Sequence, residues 1–354
     1  MKIALVLPNN VWFCPYAAIY GKLLEKLQID YDIISWNRSG KEENSIQYNV
    51  NPKTRNPIKL LLAYYKFAAF VKKTIRKNGY DRLIVFTPQS AIFLSSFLKK
   101  EFMERYIFDY RDLSLEQKFY FKRPFLKVLK NSFANVISSP GFKKYLPEGF
   151  DYILSHNLDV DVVKETLNKE ITITLDNKHI DVLTIGGIRD YESNVQVIKS
   201  LANVDGFSVR FVGKGPSAEA LQKQALSLHA KNIFFEGYYP KEKEKNYVEQ
   251  STFLNIFYPR KASHDSALSN RFYNSLIYAK PMITTAHTTQ GDYAEAYKVG
   301  VALNDCDNLP NDLRNYLHSM DVNLYQENRE KLLREFLSDY DKWESVVKQF
   351  LDMK

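Results

Sequence analysis

Short apolar runs rich in β-branched residues alternate along this chain with longer stretches of three- and four-residue periodicity. The runs lie at 2–7, 31–36, 82–86, 105–108, 135–138 and 151–154, and then at 180–185, 207–212, 232–235, 253–257, 281–285 and 300–303. Strand-length runs separated by helix-length amphipathic segments predict βαβ units, and therefore parallel sheets. The runs are better shared between two sheets of about six strands than held in one. The break falls in a polar stretch of weak periodicity at 159–178. The pattern predicts an α/β protein of two Rossmann-like domains, 1–165 and 166–335, facing each other across a cleft. A C-terminal helix at 336–354 crosses back to the first domain. The whole tail from Asn328 to Lys354 is helical in period, with Leu332, Leu333, Phe336, Leu337, Tyr340, Trp343, Val346, Val347 and Phe350 at three- and four-residue spacings. No solenoid-type repeat is present.

Composition narrows the class. The 354 residues are 45% hydrophobic and 25% charged with 13 Gly and 13 Pro, which excludes collagen-like and disordered chains. No run approaches the roughly 18 apolar residues of a membrane span. The apolar run before Pro8 is too short for a signal peptide. Cys14 and Cys306 are too few and too far apart for a disulfide framework or a metal cage. These readings predict a cytoplasmic protein with no bound metal.

Charge is divided unevenly. Residues 1–155 hold 25 Lys and Arg against 13 Asp and Glu, whereas residues 156–354 hold 24 against 28. A basic front half points to an anionic partner: nucleic acid, a phosphorylated lipid or an anionic membrane face. A nucleic-acid protein would show a recognisable module, and none is found, so that partner is set aside. Two stretches are basic and aromatic. Residues 59–73 read as a helix packed on its sheet with lysines outward. Residues 119–130, with aromatics on all sides of Lys122 and Arg123, are the better candidate for peripheral contact with an anionic membrane.

The richest segment runs over 253–303. A strand ending at Pro259 leads through a loop holding His264, Asp265 and Ser266 to a helix that Ser269 or Asn270 can cap. That helix start, with Arg271 in its first turn, is a ready anion site beside a strand end. Further back, Gly186-Gly187-Ile188-Arg189 and Gly213-Lys214-Gly215-Pro216 each follow a strand. Every one of these has a plainer reading: tight turns for the glycines, solvated charges for Lys214, Arg189, Arg271 and His264.

Asn270-Arg271-Phe272-Tyr273-Asn274 followed by Lys280-Pro281-Met282-Ile283 resembles a segment of the GT-B glycosyltransferases, particularly the family 4-like enzymes of bacterial capsule and exopolysaccharide clusters. The turns at Gly187 and Arg189 and at Gly213, Lys214 and Gly215, and the strand end Asn232-Ile233-Phe234-Phe235-Glu236-Gly237, match the same pattern in the same order. The likeness covers about 180–304 and implies a GT-B fold whose second domain holds a nucleotide sugar, with Gly187, Arg189, Gly213, Lys214, Gly215, His264, Asp265, Ser266, Asn270, Arg271 and Asn274 around it. It also implies a retaining, metal-independent transfer to a glycan or polyprenyl-diphosphate-linked acceptor. The family's two Glu are replaced here by Ser266 and Asn274, which leaves an inactive nucleotide-sugar-binding relative as an alternative. A nucleotide-sugar epimerase would need a carboxylate and histidine constellation that the sequence does not display. No G-x-G-x-x-G follows a strand, so a dinucleotide dehydrogenase is excluded.

In the front half, Asp109, Arg111 and Asp112 end a strand. A carboxylate there can serve as acceptor base, or the three can form a salt-bridged strand terminus. Asn9 and Asn10, after the first strand, can bond acceptor hydroxyls or simply build the turn.

Overall fold

The computed structural model describes residues 1–54, 56–169 and 178–352. The chain divides into two compact units, Met1–Asn157 with Asp339–Lys354, and Leu158–Ser338. Part of the polar 159–178 stretch, residues 170–177, lies outside the described residues, and its start is a helix whose N-cap is Asp159.

The first unit is built on β1 (Ile3–Leu7), β2 (Tyr31–Trp36), β3 (Ile46–Tyr48), β4 (Arg82–Phe86), β5 (Tyr106–Tyr110), β6 (Ala134–Ile137) and β7 (Tyr152–Leu154). All pairs are parallel, in the order β3-β2-β1-β4-β5-β6-β7. Its helices are α1 (Ala17–Lys26), α2 (Pro57–Asn78), α3 (Thr87–Glu101) and α4 (Phe119–Asn131). β1, β4 and β5 are buried along their whole length, as strands covered on both faces must be, which is why they read as continuous apolar runs. The sequence pattern missed β3, because its three half-buried residues sit in polar surroundings. It also ended β5 too early, since the strand continues through a charged residue, Asp109.

The second unit holds α5 (Val160–Leu167), β8 (Ile180–Ile185), α6 (Tyr191–Leu201), β9 (Phe207–Val212), α7 (Ala218–Ser227), β10 (Ile233–Gly237), α8 (Glu244–Glu249), β11 (Phe253–Ile256), α9 (Ala262–Ser266), α10 (Asn270–Ile277), β12 (Met282–Thr285), α11 (Thr289–Ala296), β13 (Gly300–Leu303) and α12 (Leu309–Ser319). Its parallel sheet runs β10-β9-β8-β11-β12-β13. Alternation along β8 feeds two cores: Leu183 and Ile185 join Phe272, Leu276 and Phe336, whereas Ile180 and Val182 join Val197, Phe211 and Leu313. The last helix, α13 (Val322–Asp352), serves both units. Tyr325, Leu332, Leu333 and Phe336 pack in the second, and Trp343, Val347 and Phe350 pack in the first against Tyr20, Leu24 and Ile107.

Candidate functional site

Strand order in the second sheet reverses between β8 and β11, the place where open α/β sheets take ligands at their carboxyl ends. Two glycine turns close on each other there. A Cβ at Gly213 would lie 1.9 Å from the Gly186 carbonyl oxygen, and one at Gly215 would lie 2.1 Å from the Ile188 carbonyl oxygen. Hydrogen bonds stitch the turns together, with Gly186 N–H donating to Val212 O at 2.9 Å, Ile188 N–H to Lys214 O at 3.2 Å and Ser217 N–H to Ile188 O at 3.1 Å. The glycines are therefore required by backbone-to-backbone approach, whatever binds above them.

The charged residues of these turns remain outward. Arg189 is exposed, and its Nε would meet a Cβ at Gly187 at 3.1 Å, so the side chain lies over that glycine. Lys214 is exposed, with its ammonium 5.8 Å from the ring centroid of Tyr238. Tyr238, at the end of β10, is itself largely exposed and escaped the sequence reading.

Arg271 is placed differently from the expectation. Its guanidinium is buried and donates to three main-chain carbonyls, those of Ile185, Asn255 (3.2 Å) and Gly187 (3.2 Å), with Tyr258 packed at 5.6 Å. The fork expected to meet a phosphate ties the ends of β8 and β11 together instead. Ser269 is the cap of α10: its hydroxyl accepts from Phe272 N–H, and Gln290 holds Ser269 in turn through its side-chain oxygen. Asn270 opens the helix and is exposed.

Asn274 does not stand alone. Its Nδ2 donates to Glu244 Oε1 at 3.0 Å, and Glu244 also accepts from Tyr239 OH at 2.7 Å and pairs with Lys241. Burial would raise the Glu244 carboxyl, but Lys241, Tyr239 and Asn274 together hold it below the usual carboxylate range. A carboxylate from α8 thus stands beside Asn274. Sequence spacing within one segment could not show it, because α8 lies 30 residues earlier.

His264, Asp265 and Ser266 form α9, where a loop was expected. His264 Nδ1 lies 3.1 Å from Pro259 O, and Asp265 takes both arms of Arg260 at 3.1 and 3.2 Å. Ser266 is buried and its hydroxyl donates to Ala262 O at 2.8 Å. The neighbouring Lys261 ammonium is 3.6 Å from Asp190, which links α9 to the turn after β8.

In the first unit two expectations are corrected. Asp109 is fully buried, accepting from Tyr20 OH at 2.7 Å and from both arms of Arg111, whose Nη1 reaches Ser155 O at 2.9 Å. With both oxygens engaged and no exposed surface, Asp109 and Arg111 are the salt-bridged strand terminus and not an acceptor base. Asp112 is exposed and accepts from Leu113 N–H. Asn10 is also fully buried: its Nδ2 donates to Asn37 (2.9 Å) and Glu43 (3.0 Å), and its Oδ1 accepts from Arg38 N–H and Ser39 N–H (both 3.0 Å). An asparagine amide has two donors and two lone pairs, so nothing is left for an acceptor. Asn9 accepts from Asn10 N–H and builds the turn. Among the described residues no group of three or more His, Cys, Asp or Glu is arranged to hold a metal ion.

No protein-family model matches the sequence, and no curated protein matches it. Solved structures resemble it along the whole chain. A sucrose-phosphate synthase from Thermosynechococcus elongatus superposes with a TM-score of 0.70 at 14% identity, covering 99% of each chain. WaaG, a glycosyltransferase involved in lipopolysaccharide biosynthesis, gives 0.61 at 12% identity, covering 97% of this chain and 99% of its own. Anabaena HepE in complex with UDP and glucose gives 0.63 at 11% identity, covering 99% of this chain and all of its own. At these identities the likeness establishes the fold, which is GT-B.

Proposed function

We propose that this protein is a glycosyltransferase that moves a sugar from a nucleoside-diphosphate donor to a glycan or polyprenyl-diphosphate-linked acceptor in the synthesis of a cell-surface polysaccharide. The observation that carries this reading is the reversal point of the second sheet. There the interlocked glycine turns lift Arg189 and Lys214 outward beside the capped start of α10, in a fold shared over its whole length with a structure that contains UDP and glucose. Arginine, lysine and a helix N-terminus stabilise the charge that gathers on a departing nucleoside diphosphate, which is the work a metal would otherwise perform. The donor site is accordingly metal-independent, and transfer proceeds with retention.

The residues of the second unit divide this chemistry among them. Gly187, Gly213 and Gly215 shape the turn backbone, Arg189 and Lys214 meet the diphosphate, and Arg271 keeps the turns in register from below. Asn274 and Glu244 offer the donor's hydroxyls an amide and a carboxylate. His264 and Asp265 face the transferred sugar from α9, and Ser266, buried with its hydroxyl on Ala262 O, supports that helix from within. Because Ser266 supplies no carboxylate, a nucleotide-sugar-binding protein without transferase activity is the second reading. No described helix is long and apolar enough to cross a membrane. The α4 start, with Phe119 80% exposed and Tyr120 beside Lys122 and Arg123, suits peripheral contact with the anionic inner face of one.

A thermal-shift screen against UDP, GDP, CMP, ADP and dTDP, with and without EDTA, tests the reading, since a ligand that binds only the folded state raises the melting point by mass action. Selective stabilisation by one nucleoside diphosphate, unchanged by EDTA, is expected. Stabilisation by none of them would sink the donor-site assignment. Selective stabilisation without sugar transfer to any acceptor would favour the second reading.

A further inference from the structure

Helices α2 and α4 contain no acidic residue. α2 carries Lys59, Lys66, Lys72, Lys73, Arg76 and Lys77, and the shorter α4 carries Lys122, Arg123, Lys127 and Lys130.

α2 is also apolar on two sides. Tyr64, Phe67, Ala68, Val71 and Ile75 are buried, as a helix packed on its sheet requires. Ile58, Leu61, Leu62 and Tyr65 stand outward, with Ile58 77%, Leu62 54% and Tyr65 63% exposed. Spacings of three and four residues join these four into one stripe. The lysines expected outward on α2 therefore flank an apolar surface, with Lys59 and Lys66 exposed beside it. This end of the helix is well formed, because Asn56 caps it by accepting from Ile58 N–H at 3.0 Å and Lys59 N–H at 3.2 Å. An exposed apolar stripe rimmed by polar residues marks a contact surface.

α4 continues that surface. Phe119 and Tyr120, both exposed, pack edge-on with ring centroids 5.2 Å apart beside Lys122 and Arg123. A ladder of rings connects them to α2 by way of α3. Tyr64 of α2 stacks on Phe93 of α3 at 5.8 Å, Phe93 meets Phe121 of α4 at 5.9 Å, and Phe121 meets Tyr120 at 4.8 Å. The three crossovers that hold these helices run in the same direction along the sheet, and right-handed connection puts them on one face of it. The outward residues of α2 and α4 thus belong to one layer.

We infer that this layer is an interfacial docking face for an anionic bilayer, with Ile58, Leu61, Leu62 and Tyr65 of α2 entering the head-group region alongside Phe119 and Tyr120 of α4. Lys59, Lys66, Lys122 and Arg123 meet the lipid phosphates. Charge complementarity selects the occupant: cations around apolar and aromatic side chains suit anionic lipid, whereas a second copy of the same acid-free surface is repelled. α2 lies along the bilayer and does not cross it, since its 22 residues include six cations and no described helix is apolar enough to span. The inference rests on the reading of a transferase that works at a membrane, and it adds α2 as a second anchor to the α4 contact. Two anchors on one layer fix the orientation in which the first unit meets the lipid.

The test is co-sedimentation of the full chain with phosphatidylcholine vesicles, plain or containing about one-third phosphatidylglycerol, at low and high salt. Binding to the anionic vesicles should be at least about tenfold tighter than to the neutral ones and should weaken with salt. Leu62→Ser combined with Tyr65→Ser should weaken it by about tenfold or more with the melting point maintained, because both side chains are exposed in the folded protein. Lys59→Gln combined with Lys66→Gln should cost roughly tenfold on anionic vesicles and nothing on neutral ones. Equal binding to the two vesicle types, or binding unchanged in the Leu62 and Tyr65 variant, overturns the proposal. A parent dimer that the same variant turns into monomers without lipid also overturns it, by making a second copy the occupant. UDP titration of the same preparations separates this face from the donor site. UDP binding without vesicle binding overturns the membrane face alone, and vesicle binding without UDP binding overturns the donor assignment alone.

Discussion

His156 Nε2 and Asp339 Oδ2 lie 3.2 Å apart, and the pair fastens the last part of α13 to the segment following β7. The imidazole is buried and the carboxylate partly exposed. Around this contact, Trp343 packs edge-on against Tyr20 at 4.8 Å, and Tyr20 in turn donates to Asp109. Asp109, with Arg111 bonded to it, is thus part of the anchorage of that helix.

That anchorage should weaken in acid. Burial pushes the His156 imidazole below its usual range, more strongly than Asp339 pulls it up, and Arg111 adds to the lowering. The folded protein therefore binds the His156 proton less readily than the unfolded chain, and stability falls as pH drops through the ordinary imidazole value near 6.5. Asp339 acts later: burial opposes ionisation, but His156 and Lys342 hold its carboxyl low, so its contribution is lost only in the more acid carboxylate range. Melting curves between pH 7.5 and 5 should show a falling Tm that flattens in His156→Gln. An identical slope in the variant would remove His156 from the account.

Arg271 and Arg189 should separate cleanly. Lys in place of Arg271 keeps the charge but cannot reach three carbonyls at once, so about 2–4 kcal/mol of stability should be lost, as for a broken buried polar network. Arg189→Ala, on an exposed side chain, should leave stability within about 0.5 kcal/mol. Nucleotide affinity should nevertheless fall by roughly tenfold, the value of one charge-assisted contact. Urea unfolding and nucleotide titration on both variants check this; the reverse pattern would restore Arg271 as a phosphate ligand.

Much of the fold was legible because buried parallel strands write themselves as apolar runs, and twelve of the strands were found near their observed places. β3 was hidden because a short, half-buried edge strand has no apolar run to show. The glycine turns were legible as turns, while the reason for Gly213 and Gly215, a contact between two loops, is tertiary. Charged side chains were the least legible. Arg271, Asp109 and Asn10 are all of types that can bind ligands, and each proved to be buried against main chain or partners. Glu244 went unnoticed for the converse reason: a partner far along the chain gives it its interest.

Asn10 offers a direct check on that distinction. Asn10→Ala removes four hydrogen bonds from a buried amide and strands the Arg38 and Ser39 N–H groups, at a cost of about 2–4 kcal/mol. Trp12→Ala, two residues away on an exposed ring, should change stability by less than about 0.5 kcal/mol. Equal melting points for Asn10→Ala and the parent would show that the amide is not the keystone of the loop.

The interlocked turns make a graded prediction. Gly213 has φ of +136°, and a Cβ there would fall 1.9 Å from a carbonyl oxygen; at Gly215 the backbone angle is ordinary, but the Cβ would fall 2.1 Å from another. Neither neighbour is a flexible side-chain end, so relief requires the turns after β8 and β9 to move apart, breaking the bonds from Gly186, Ile188 and Ser217. Gly213→Ala and Gly215→Ala should each cost more than about 3 kcal/mol and abolish nucleotide binding. Gly186 is the control. Its φ of +98° is unfavourable for alanine, yet the added Cβ would meet only Tyr239 OH at 4.0 Å, so Gly186→Ala should cost about 1–2 kcal/mol from backbone strain alone. Denaturation of the three variants side by side decides the matter: a Gly215→Ala protein as stable as the parent would mean that the two turns are not held in contact.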